Sequence, residues 1–146
     1  MSRRVSRFMA ASKDEEKSGL RVLIVRGSFA SLGGAERELL QLIRATSQRW
    51  EVSLASLDFT EDAETLLDDA SVRLILPESP IQWANGAVAE LMAKASTSAE
   101  KMWREMDIPW DEFDAVHISV CRGSLELLPF IPAHLPVHYH CLEPPR

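Results

Sequence analysis

The chain has 146 residues, one domain's worth, and its 46% hydrophobic and 26% charged content is ordinary for a globular protein. Twenty-two acidic against 16 basic side chains give a net charge of −6, which argues against a general nucleic-acid binder, since that function needs a basic face. No apolar run approaches the roughly 20 residues needed to span a bilayer.

Residues 1–19 differ in character from the rest of the chain. Arg3, Arg4 and Arg7 precede the polar run SKDEEKSG, and no signal-peptide core is present. This segment reads as a disordered tail, with the ordered domain running from 20 to 146. Its three arginines would give at most a weak peripheral contact with anionic lipid. Cys121 and Cys141 lack metal-ligand spacing and read as free thiols in a reducing, cytoplasmic setting, at or away from the inner face of a membrane.

Arg21–Arg26 is the first strand, an apolar run too short for a buried helix. The loop after it contains Gly33 and Gly34 and opens into a helix over Ala35–Arg49, whose apolar stripe includes Leu39, Leu42 and Ile43. Trp50–Leu57 is a second strand with small alternating serines. The acidic stretch EDAETLLDD forms a short helix, its early carboxylates suiting the positive end of the dipole. Ser71–Leu76 is a third strand, ended by Pro77 and Pro80. Gln82–Met106 is a long helical segment. Val88, Leu91, Met92, Ala95, Ala99, Met102, Trp103 and Met106 share one face, read as core packing in preference to a membrane-surface helix. Ala115–Val120 and Val137–Cys141 are the fourth and fifth strands, with a short helix at Ser124–Phe130 between them. Strand and helix alternate throughout. The fold class is therefore α/β, a doubly wound parallel sheet of Rossmann-like type with strand order 3-2-1-4-5.

In such sheets ligands bind beyond the carboxyl ends of the strands, so the glycine loop is the first site candidate. Its bare backbone and the free N–H groups of a helix start suit an anion. A triphosphatase loop of the form GxxxxGK[ST] is absent, as is a strict GxGxxG. Asp58 follows the second strand, where a ribose-binding carboxylate would lie. Glu36 complements the helix dipole, while Arg37 either pairs with a carboxylate or points to an anionic ligand. His117 interrupts an apolar strand; it is either a core histidine or a site group. In VHYHCLEPPR, alternation puts His138 and His140 on one face and Tyr139 on the other. Together with Glu143 they could suggest a metal, but no HExxH helix supports one and none is expected, nor any cofactor.

The segments RVLIVRGSFASLGGAERELLQL, FDAVHISV and VHYHCLEPPR together resemble the amino-terminal domain of a GT-B glycosyltransferase of the family 4 type, over about Leu20 to Arg146. The resemblance implies an incomplete GT-B amino-terminal domain, the acceptor-side half of a retaining transferase. A second, carboxyl-terminal domain would hold most of a nucleotide-sugar donor. By resemblance, His117 and His140 are candidates for the active cleft, and Gly33, Gly34, Glu36, Arg37, Glu143 and Arg146 for substrate or donor contacts. Family members often carry His-x-His where this chain has His117-Ile118-Ser119, which leaves only the first histidine. The chain alone is expected to be inactive, with an exposed edge beyond the fifth strand. The competing reading is a non-catalytic Rossmann-like binding module, a partner for a separate donor-binding domain. A nicotinamide-dependent enzyme is disfavoured by the loop spacing.

Overall fold

A computed structural model describes residues 5–8, 19–68, 70–83 and 87–142. Its strands are β1 (Val5–Phe8), β2 (Arg21–Val25), β3 (Glu51–Ala55), β4 (Val72–Leu76), β5 (Ala115–Ser119) and β6 (Val137–His140). Its α-helices are α1 (Gly34–Thr46), α2 (Glu61–Leu67) and α3 (Val88–Glu105), with 3-10 turns at Trp110–Glu112 and Leu125–Phe130. They form one six-stranded sheet in the order β1-β4-β3-β2-β5-β6. The five strands from β2 onward are all parallel, in the order expected from the alternation of elements.

The apolar runs sort by strand parity. Val22, Ile24, Val52, Leu54, Val72 and Leu74 pack beneath α1 and α2 with Leu39, Leu40, Ile43 and Leu67. Leu23, Val25, Ala55, Ile75, Val116 and Ile118 face the other way, against Trp103 of α3 and Leu127. A strand buried on both faces needs a continuous apolar sequence, which RVLIV supplies. The serines in and just after β3 fit because they are small: Ser53 and Ser56 are buried. Thr60 caps α2, accepting from the Ala63 N–H at 3.2 Å, and Glu61, Asp62 and Glu64 follow in its first turn.

Three expectations change. Leu42 is 40% exposed, and Leu40 takes its place in the buried stripe of α1 with Leu39 and Ile43. On α3, Ala99 and Trp103 are buried, with Met106 just beyond it, whereas Val88 and Met92 stand in the open; the side chains of Leu91 and Ala95 lie outside the described ones. The buried residues pack with Leu127 of the 3-10 turn at Leu125–Phe130. Within residues 1–19, Val5–Phe8 is a strand, antiparallel to β4, rather than part of a disordered tail. Without it β4 would leave a row of unpaired N–H and C=O groups, and an antiparallel partner satisfies them without a crossover. Residues 1–4 and 9–18, with Arg3 and Arg4, lie outside the described residues.

Candidate functional site

The loop after β2 is longer than a nucleotide turn because it dips into the core. Phe29 is fully buried, edge-on to Phe59 with ring centres 5.1 Å apart. The Phe29 N–H donates to the Asp58 carbonyl at 2.8 Å, and Ser28 Oγ donates to the Asp58 carboxylate at 3.2 Å. Trp83 Nε1 donates to the same carboxylate oxygen at 3.3 Å. Asp58 thus ties two loops together, which accounts for its position without a ribose.

On its other side the loop interlocks with the turn after β5. The Gly27 N–H donates to Ser124 Oγ at 2.9 Å, and Ser124 Oγ donates to the Ser119 carbonyl at 2.9 Å. A Cβ on Gly27 would lie 2.1 Å from the Arg122 carbonyl oxygen, so only glycine fits. Cys121 and Cys141 are both free thiols, and Cys121 Sγ lies 3.2 Å from Ser124 Oγ.

Between these loops lies a cavity of about 710 Å³. Gly34, Ala35 and Glu36 from the start of α1 form one wall, and Ser119, Cys121, His140 and Cys141 from the ends of β5 and β6 form another. Arg26 forms part of the lining and is only 5% exposed. Its Nη1 donates to Ser119 Oγ at 2.8 Å, and its Nη2 pairs with Glu36 Oε1. Glu36 Oε2 accepts from the Gly33 N–H at 2.9 Å. Arg26 Nε is buried without a partner among the described residues. Gly33, having no side chain, caps none of the N–H groups of the first turn of α1. The result is a floor with a buried ion pair below a helix start that has no side-chain cap, a setting for an anion or a hydroxyl-rich ligand.

The sequence candidates divide accordingly. Gly34, Glu36 and His140 line the cavity. Gly33 is the N-cap beside it. Glu36 has both carboxylate oxygens engaged, so it positions the wall. Arg37 is exposed on the outer side of α1 and pairs with no described side chain. His117 sits one pleat further from the carboxyl edge and is not part of the lining, although its ring centre is 6.1 Å from that of His140. His117 Nδ1 instead lies 2.9 Å from His138 Nδ1. Burial, with the nearby His138 and His140, pushes the His117 pKa below its ordinary value. Glu143 and Arg146 lie outside the described residues. Arg26, Ser119 and Ser124 were not singled out by the sequence pattern; the one available signal was an arginine closing an otherwise apolar strand.

Fold and cavity together define a Rossmann-like α/β domain with a ligand-sized recess at the carboxyl edge of its sheet. No family model matches the chain, and no curated protein matches it. Among solved structures it is similar to the C-terminal domain of a hydrogenase from Pyrococcus furiosus, with 16% identity and a TM-score of 0.52, covering 90% of this chain and 97% of that one. A second structure of that domain aligns at 14% identity and a TM-score of 0.48, over 90% and 98% of the two chains. At such identities the likeness concerns the fold alone. Among the described residues no helix is long and apolar enough to cross a membrane.

Proposed function

We propose that this chain is the acceptor-side half of a glycosyltransferase, acting with a donor-binding domain that presents a nucleotide sugar across the recess. The observation that carries this reading is convergence. The three segments that resemble the GT-B family 4 pattern lie far apart in sequence, yet residues from all of them line the one cavity of about 710 Å³. Gly34 to Glu36 come from GGAER, Ser119 and Val120 from FDAVHISV, and His140 to Leu142 from the last segment. In this reading the glycine-bounded helix start offers N–H donors to a diphosphate, and His140, in the cavity lining, receives an acceptor hydroxyl. Arg26 and Glu36 hold that wall in place from below. A cleft between two domains supplies much of its rate by holding both substrates together, a term of roughly 7–11 kcal/mol. Half a cleft would forfeit most of it.

The test is transfer across a panel of nucleotide sugars, by this chain alone and mixed with a GT-B donor-binding domain. Turnover only in the mixture, reduced by His140→Ala, supports the proposal. No turnover in any mixture, with nucleotide sugars failing to perturb Gly34 or His140 resonances, would reject it in favour of a non-catalytic binding module.

A further inference from the structure

We propose that His117 and His138 form a two-imidazole site for a divalent transition-metal cation on one face of β5 and β6. In sequence His117 and His138 lie 21 residues apart. Strand pairing changes that. β5 and β6 run parallel with His117 in register with His138, so both rings stand on the same face of the sheet. The rings are nearly parallel, 23° between planes and 5.0 Å between centres, with the two Nδ1 atoms 2.9 Å apart.

Two imidazole nitrogens facing at that distance need an electrophile between their lone pairs. A proton on one ring is the simplest. A metal is the other, and histidine nitrogens bind zinc at about 2.0–2.1 Å, which asks the pair to open by only a few tenths of an ångström. The opening falls to His138, since the His117 Nε2 is buried without a partner among the described residues. The apolar cluster beneath α1 and α2 contains no residue of β5 or β6, and His138 is exposed. His140 is not a ligand where it stands, and among the described residues no group of three or more His, Cys, Asp or Glu side chains is arranged around a common metal position. The site is therefore two-pointed and open, with water completing the coordination and exchange with solvent rapid. Imidazole ligands favour zinc, nickel or copper and disfavour magnesium or calcium, which take oxygen.

The experiment is a zinc titration of the chain carrying Cys121→Ser and Cys141→Ser, followed by calorimetry and by histidine-ring NMR. Saturable binding of one cation per chain is expected, with the His117 and His138 rings shifting together and magnesium without effect. His138→Gln, at an exposed position, should weaken affinity by about tenfold or more, as expected when a ligand is lost. His117→Gln should do the same. Absence of saturable binding at millimolar zinc overturns the proposal. So does binding that survives both histidine substitutions, or binding seen in the native chain but lost when the two cysteines are replaced, which would move the metal to the thiols.

Discussion

Arg26 and Ser119, 93 residues apart in sequence, meet through a 2.8 Å hydrogen bond that locks the carboxyl ends of β2 and β5 together. The guanidinium is buried, and Glu36 reaches down from the first turn of α1 to balance it. One arginine thereby fixes three pieces of backbone around the recess: two strand ends and a helix start. Placing a charge there is costly unless each side of it is occupied. The arrangement fits a site whose walls must hold still while a ligand comes and goes.

Removing the balance should therefore matter more than its surface position suggests. Glu36→Ala leaves the Arg26 guanidinium buried with only Ser119 to accept from it. We expect a loss of about 3 kcal/mol, the lower end of the range for breaking a buried pair, because the Glu36 side chain is 13% exposed. Arg26→Met should cost less, since the carboxylate it strands lies nearer the cavity mouth and can rehydrate. Urea unfolding of the two variants checks the order; a Glu36→Ala loss below that of Arg26→Met would contradict it.

The glycines of the loop should separate into one that folding needs and one that it does not. A Cβ at Gly27 collides with the backbone of Arg122, Gly123 and Ser124, whereas one at Gly34 meets nothing within 4 Å. Gly27→Ala should destabilise the domain strongly or prevent folding. Gly34→Val should retain the fold, seen by circular dichroism and thermal midpoint, while placing a branched side chain at the cavity wall. In a reconstituted transferase the second variant should then lose turnover.

Much of the architecture was legible because period and punctuation agree. Strands buried on both faces produced continuous apolar runs, each βα step carried its own turn residues, and parallel order followed from alternation. The site was legible only in part. Gly34, Glu36 and His140 line the cavity, but Arg26 looked like the polar end of a strand, and its contact with Ser119 crosses two connections. His138 was visible only as one of a pair, because register between strands is a tertiary property. Val5–Phe8 gave no strand signal of its own; it is fixed by the open edge of β4.

Met92 and Trp103 predict a sharp contrast along one helix. Met92 is 69% exposed, so Met92→Lys should change stability by no more than about 0.5 kcal/mol. Trp103 is buried and its Nε1 donates to the Gly123 carbonyl at 2.7 Å. Trp103→Ala should cost about 3–5 kcal/mol, from the lost contacts and the cavity left behind. Equal effects at the two positions would mean that the amino-terminal half of the helix is packed in solution.

Acid should weaken this fold through His117. Its proton affinity is lowered in the folded chain by burial and by His138 and His140, so its pKa lies below the ordinary value of 6.5 that the unfolded chain restores. Between those two values the unfolded chain binds more protons than the folded one, and stability therefore rises with pH. The contribution is complete above about 6.5 and is lost as pH falls through that value toward the folded pKa. The groups that face His117 on its own sheet surface, among the described residues, are His138 and His140. The thermal midpoint should drop between neutral and mildly acidic pH, and His117→Gln should flatten that drop. A variant as pH-sensitive as the native chain would assign the acid response to other groups, and a native midpoint that rises on acidification would reverse the sign of the argument.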